Sequence, residues 1–205
     1  MNRTRSLIVA ALGVLAVAAA PRRSPVPPST TVMPDSGEVH LADIRQLTFG
    51  GQNAEAYFSP DGTKLIYQAT VDSGGCDQQY VMNVDGSDKR RVSNGEGKTT
   101  CGYFYDGGRR VVYASTHLAG RECPPPPDYS QGYVWKLEDF DIFTARVDGS
   151  DNRRITSTPG YDAEGTLSPD GRTIAFTSQR DGDLDVYTMR TDGSNVRRLT
   201  TEVGY

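Results

Sequence analysis

From Asn53 onward, short apolar runs rich in Val, Ile, Tyr, Phe and Thr alternate with polar breaks. The breaks carry Asp-Gly pairs at Asp61-Gly62, Asp85-Gly86, Asp106-Gly107, Asp148-Gly149, Asp170-Gly171 and Asp192-Gly193. These pairs predict tight turns, because glycine takes the positive φ that hairpins require and aspartate bonds back to the backbone. The runs between them read as short strands, and nothing in this stretch predicts a helix. The runs also match one another: Leu65, Val111 and Ile174 fall in one column, and Tyr67, Tyr113 and Phe176 in another.

That match is one period of a longer repeat. The unit ends Leu47, Val92, Ile155 and Leu199 recur at intervals of 45, 63 and 44 residues, the middle interval being the same unit with about 19 residues inserted. Each unit contains four strands joined by turns, and a four-stranded antiparallel unit of about 45 residues is the signature of a β-propeller blade, which buries its faces only against neighbouring blades. The expected fold is therefore all-β. Blades are expected at about 49–93, 94–156 (with an insertion at 119–140) and 157–200, and "TEVGY" at 201–205 matches "STPGY" at 157–161 as the start of another. Three complete blades fall short of the typical 4 to 8 of a closed propeller. An incomplete propeller is expected, either a fragment of a longer product or one that closes by oligomerising; truncation is the favoured expectation.

The string "SPDG", an apolar strand and then "YTMRTDGSNVRRLT" at Tyr187 to Thr200 resembles the TolB-like, WD-like propeller repeat of bacterial envelope proteins, also found in the N-terminal propellers of prolyl-oligopeptidase relatives. The resemblance covers about residues 44–205. It implies a propeller in the cell envelope, and as a guide to function it is weaker than as a guide to fold.

The N-terminus adds a destination. Arg3 and Arg5 precede an unbroken apolar stretch from Leu7 to Ala20, and Ala16 and Ala18 offer a small-x-small cleavage site. This reads as a secretory signal peptide over residues 1–18. The apolar stretch is shorter than the roughly 20 residues of a membrane-spanning helix, so no stable span is expected after cleavage. Residues 19–43 form a Pro-rich linker with a lead-in strand. Without residues 1–18 the chain holds 20 basic and 26 acidic residues, a balance that argues against nucleic acid or an anionic membrane as partner. In an oxidising compartment Cys76, Cys101 and Cys123 predict one disulfide and one leftover thiol. Cys101 is the expected member of the pair, lying between the loops that carry the other two. The cysteines have no Cys-x-x-Cys spacing and only two histidines for company, which argues against zinc.

Candidate chemistry is sparse. No nucleophile elbow, metalloprotease helix or phosphate loop is present, so neither catalytic residues nor a metal or cofactor is expected. His117 reads as a polar residue on a loop shoulder. Asp181, Asp183 and Asp185 resemble a calcium loop, but Val186 stands where its glycine is needed. Two features break the repeat. Asn53-Ala54-Glu55 and Asp162-Ala163-Glu164 begin innermost strands and align with Thr99-Thr100-Cys101, placing acids at the channel mouth. The insertion "AGRECPPPPDYSQGYVWKLEDF" carries four prolines, Tyr129, Tyr133 and the only tryptophan, Trp135. Blade topology puts both features on one rim. The expected function is an exported, periplasmic or extracellular, non-catalytic scaffold binding a protein or peptide through Asn53, Glu55, Asp162, Glu164, Tyr133 and Trp135. Alternatives are the N-terminal propeller of a larger hydrolase and a glycan binder using Trp135.

Overall fold

The computed structural model describes residues 29–71 and 75–203; the signal peptide expected at residues 1–18 falls outside the described residues. A short ladder of β1 (Thr30–Thr31) with β2 (Arg45–Gln46) leads into three four-stranded antiparallel sheets. The first holds β3 (Gln52–Phe58), β4 (Lys64–Thr70), β5 (Gln78–Asn83) and β6 (Arg90–Arg91). The second holds β7 (Thr99–Tyr105), β8 (Arg110–Ser115), β9 (Asp141–Arg146) and β10 (Arg153–Arg154). The third holds β11 (Asp162–Leu167), β12 (Thr173–Ser178), β13 (Asp185–Arg190) and β14 (Arg197–Arg198). Strands pair in chain order within each sheet, so each sheet is one propeller blade.

Side chains fix the turns in the same way from blade to blade. Asp61 Oδ1 accepts the Ser59 hydroxyl (2.6 Å) and the Thr63 amide (3.1 Å), while the Lys64 amide donates to Ser59 Oγ (2.9 Å). These donors, the Ser59 hydroxyl foremost, hold the Asp61 carboxyl at about 2. Ser168, Asp170, Arg172 and Thr173 repeat the arrangement in the third blade. The second blade lacks the Ser-Pro pair, and Asp106–Gly108 closes there as a single 3-10 turn. At the other hairpin of each blade, Asp85, Asp148 and Asp192 accept the amide and hydroxyl of Ser87, Ser150 and Ser194.

The core lies between blades. Ile66, Val81 and Val92 of the first blade meet Phe104, Val111, Tyr113, Phe143 and Ala145 of the second. Val112 and Ile142, on the opposite face of the second blade, meet Ile174, Phe176, Tyr187 and Met189 of the third. The seam is closed by the unit-end column: Leu47, Val92 and Ile155 each pack on the glycine of the next blade's second hairpin turn, Gly86, Gly149 and Gly193. Those glycines have φ of 85°, 84° and 85°, and a Cβ on Gly193 would stand 2.5 Å from the Ile155 carbonyl oxygen. Residues 45–47 thus occupy, against the first blade, the place that a fourth strand takes at the other seams.

Two glycines separate backbone strain from close approach. Gly62→Ala, at φ +69° with open space around its Cβ, is expected to lose only the left-handed penalty of about 1–2 kcal/mol. Gly193→Ala adds the collision with Ile155 and is expected to lose at least about 2 kcal/mol more, because the obstacle is backbone rather than a flexible side chain. Urea denaturation of both variants measures the difference.

Candidate functional site

The site begins with a backbone irregularity repeated in every blade. The register shifts between Ala54 and Tyr57 in β3, between Thr100 and Tyr103 in β7, and between Ala163 and Thr166 in β11. Within each gap one residue is left-handed: Glu55 (φ 51°), Cys101 (φ 53°) and Glu164 (φ 59°). A bulge of this kind unpairs a residue and re-aims its side chain. The three acid-or-cysteine positions aligned in the sequence are therefore equivalent in space, and all three line one cleft of about 290 Å³.

Burial, with smaller contributions from the carboxylates of Glu55 and Glu164, pushes the Cys101 thiol up to about 12, so it stays protonated at neutral pH. The Thr100 hydroxyl lies 3.3 Å from its sulfur. Gln68 Oε1 of the first blade accepts both the Thr100 hydroxyl (3.2 Å) and the Cys101 amide (3.3 Å), which ties β7 to β4. Glu164 Oε2 accepts the Thr177 hydroxyl at 2.6 Å. Neither Glu55 nor Glu164 has a basic partner among the described residues.

The insertion supplies the opposite wall. Residues 116–140 leave β8 and return to β9 without regular structure, held by the Cys76–Cys123 disulfide, the Gly97 amide donating to the Arg121 carbonyl (2.8 Å) and an Arg121–Glu96 ion pair. Trp135 meets Tyr161 edge-on with ring centres 6.0 Å apart, and Phe140 meets the same ring edge-on at 5.9 Å. Trp135 keeps 41% of its surface exposed. Glu138 is the buried charge of this wall: its side chain is 8% exposed, with Lys98 Nζ 3.7 Å from Oε2 and Lys136 Nζ 4.0 Å from Oε1. No donor hydrogen-bonds to Oε2.

Of the residues singled out in the sequence, Glu55, Glu164, Tyr133 and Trp135 line the cleft together. Asn53 does not; its side-chain amide donates to the Gly50 carbonyl (3.1 Å). Asp162 is buried and takes two hydrogen bonds from Arg180, at 3.0 and 3.2 Å. Sequence reasoning missed Glu138, Lys98 and Tyr161. Glu138 lies inside the flagged insertion, but nothing in the linear sequence distinguishes its carboxylate from the neighbouring Asp139.

One expectation is corrected. Cys101 is a free thiol, and the disulfide joins Cys76 to Cys123 with Cα atoms 5.4 Å apart. The reason is position: Cys76 and Cys123 sit on the loops that follow second strands, which meet outside the sheets, whereas Cys101 is held inside β7 and turned toward the cleft by its bulge. His117 is half-buried, with Nδ1 2.8 Å from Ser115 Oγ and its ring 4.4 Å from that of Phe143. Burial, its largest influence, pushes its pKa down, and Ser115 is 1% exposed, closed to any substrate. Asp181 accepts the Tyr187 hydroxyl, and Asp185 is paired with Arg198; both are tied into the third blade. Among the described residues no group of His, Cys, Asp and Glu is arranged to hold a metal ion, and no helix is long and apolar enough to cross a membrane.

The two kinds of cysteine give separate expectations. With its thiol at about 12, native Cys101 should alkylate at pH 8 slower than an ordinary cysteine by about three orders of magnitude, and at the ordinary rate once unfolded; mass spectrometry after timed iodoacetamide exposure measures this. Replacing Cys76 and Cys123 together by serine should lower stability by about 2–4 kcal/mol in chemical denaturation, since the bridge closes a long loop.

Comparison with known proteins agrees with this architecture. Residues 133–205 match the TolB beta propeller domain family model. The Tol-Pal system protein TolB of Bordetella pertussis is 59% identical over 34 residues, which are 17% of this chain and 8% of that protein. The structure of putative TolB from Agrobacterium tumefaciens superposes with a TM-score of 0.56 at 25% identity, covering 74% of this chain and 50% of that one. A Mycobacterium tuberculosis puromycin-hydrolyzing peptidase shares the fold, with a TM-score of 0.52 at 16% identity over 75% of this chain and 24% of the peptidase. The chain thus spans half or less of the proteins it matches. Over residues 133–205 by sequence, and across its three blades by geometry, the chain is similar to TolB beta propellers.

Proposed function

We propose that the protein is an exported propeller scaffold, without chemistry of its own, that binds a protein or peptide partner at the rim carrying the cleft. The observation that carries this reading is the convergence of the chain's departures from its repeat. Glu55 and Glu164, which lack a basic partner among the described residues, line one cleft with Tyr133 and Trp135 of the disulfide-anchored insertion, while the turns of the opposite rim recur from blade to blade. In a repeat protein the repeated residues build the scaffold and the exceptions mark the contact surface. Half-exposed aromatic area beside charge is the mixture found at protein interfaces. The similarity to Tol-Pal system TolB proteins supports a role in the envelope, as do the leader-like first 18 residues and a disulfide suited to an oxidising compartment.

A second reading, a propeller that filters substrates for a hydrolase, draws on the fold shared with the puromycin-hydrolyzing peptidase. Release of p-nitroaniline from aminoacyl substrates by the full gene product would establish it.

Selection of displayed random peptides on the immobilised protein tests the scaffold reading. Peptides enriched on the protein should bind Trp135→Ala more weakly by over about 1 kcal/mol, the loss of an interface anchor. Tyr67→Ala, at a buried position of the first blade, should instead lower the melting temperature without changing the affinity of the folded fraction. Enrichment indifferent to Trp135, or no enrichment, counts against the reading.

A further inference from the structure

The loop between β6 and β7, which joins the first blade to the second, holds the chain's one Asn-Gly pair, Asn94-Gly95. Both residues are exposed. The Glu96 amide donates to Asn94 Oδ1 at 3.0 Å, an Asx turn whose ring contains both the Asn94 Cγ and the Gly95 nitrogen. That donor polarises the side-chain carbonyl, at the oxygen on which charge builds when Cγ is attacked. Arg91 acts on the other partner. Its guanidinium carbon stands 2.6 Å from where a Cβ on Gly95 would lie, and its Nη2 donates to the Asn94 carbonyl at 3.4 Å. A side chain at position 95 would push this cation away from the main chain. A positive charge held there favours loss of the Gly95 amide proton.

We propose that Asn94 is a self-modification site: the Gly95 nitrogen attacks its side-chain amide, Arg91 promotes the attack, and the isoaspartate formed loosens the joint that holds the insertion. The Gly95 nitrogen bonds to Asn94 Cγ, the Cγ–Nδ2 bond breaks, and ammonia leaves with the proton that the Gly95 amide gives up. Water then opens the succinimide. Cleavage of its Cγ–N bond leaves aspartate in an unchanged main chain, and cleavage at the Asn94 carbonyl carbon leaves isoaspartate, with the chain running through Cβ and Cγ. The six Asp-Gly turns have the same bare follower but a poorer electrophile. Their carboxyls are held ionised, below the ordinary range, by side-chain donors: a serine hydroxyl at five of them and Arg109 at Asp106. An amide has no such protection.

The place of Asn94 gives the reaction its effect. Two residues on, Glu96 Oε1 accepts Arg121 Nε at 2.8 Å. The Gly97 amide donates to the Arg121 carbonyl at 2.8 Å, and the Gly97 carbonyl accepts Gln78 Nε2 at 2.8 Å. Arg121 lies two residues before Cys123, at the root of the insertion. Isoaspartate lengthens the main chain by one atom directly before these contacts, so the joint between insertion and blade loosens as the protein ages, whatever the rim binds.

Peptide mass spectrometry with electron-transfer fragmentation follows each asparagine while the disulfide-intact protein is incubated at neutral and at mildly alkaline pH. Asn94 should convert at least about tenfold faster than Asn152 or Asn195, whose followers carry side chains. The rate should rise with pH, and isoaspartate should appear among the products. Arg91→Gln, at an exposed position, should slow the conversion several-fold with the fold intact by circular dichroism. Peptides spanning Gly97, resolved after hydrogen exchange into unconverted and isoaspartate forms, should exchange at least about tenfold faster at Gly97 in the isoaspartate form. Asn94→Asp carries the new charge without the longer chain and should keep the slow exchange. Asn94 as long-lived as Asn152 and Asn195, or conversion in folded protein indifferent to Arg91→Gln, overturns the proposal. Equally slow Gly97 exchange in the isoaspartate form, or equally fast exchange in Asn94→Asp, overturns the loosening by chain length.

Discussion

A blade in this protein cannot bury itself. Its strands are six or seven residues long apart from the two-residue outer one, and a single twisted sheet of that size leaves both faces in water. Apolar area is removed only at the seams, and each seam is fixed by the same contact, the last apolar residue of one unit against a left-handed glycine of the next. All three glycines have positive φ, which favours glycine, and at Gly193 the approach of the Ile155 carbonyl also leaves no room for a Cβ. The spacing of Leu47, Val92 and Ile155 is therefore a physical requirement: the chain must bring an apolar residue to the next blade's turn once per unit. An insertion can lengthen the middle unit because it leaves between two strands of a blade and returns to the same sheet, leaving the seam untouched.

The channel side of each blade follows from this stacking. Inner strands crowd together as blades fan around an axis, and the bulge in β3, β7 and β11 relieves the register at equivalent points. Since it occurs in all three blades, including the one with cysteine, the left-handed backbone belongs to the scaffold and not to a ligand. What varies is the side chain that the bulge turns inward. Glutamate, cysteine and glutamate face the same space, with the neutral thiol between two carboxylates, so the negative charge comes from the first and third blades and the second leaves room beneath the insertion.

The repeat was legible in the sequence because each of its parts has a local cause. Asp-Gly turns need glycine at a particular φ, and strand columns need apolar side chains every second residue; both leave a trace within a few positions. The equivalence of Glu55, Cys101 and Glu164 was legible for the same reason. What could not be read was long-range. Asp162 lies two residues before Glu164, yet it is taken up by Arg180, just past the end of β12. Cys76 and Cys123 find each other because the path of the insertion, which has no period, brings residue 123 back over the first blade's loop. The place of Cys101 between the loops that carry the other two favoured it, and the direction of its side chain, set by a bulge, removed it. Glu138 had no sequence signal, since burial of a carboxylate depends on which way an irregular segment closes.

That irregular wall is nonetheless firmly placed, and this bears on how it holds a charge. A carboxylate moved out of water without direct hydrogen bonds is destabilising unless opposite charges stand close. Lys98, just before β7, and Lys136, on the insertion itself, approach Glu138 from two sides, but both remain beyond hydrogen-bond reach. Coulombic attraction at such distances lowers the cost of burial without saturating the oxygen. A flexible loop would relax until the carboxylate reached an ammonium or water. Here the disulfide at Cys123, the Arg121 contacts to the Glu96–Gly97 turn, and the Phe140–Tyr161–Trp135 ring stack restrain both ends of the segment. The same restraints that make the wall rigid thus leave one oxygen of Glu138 unsatisfied, and rigidity of this kind lowers the ordering entropy a bound partner would have to offset.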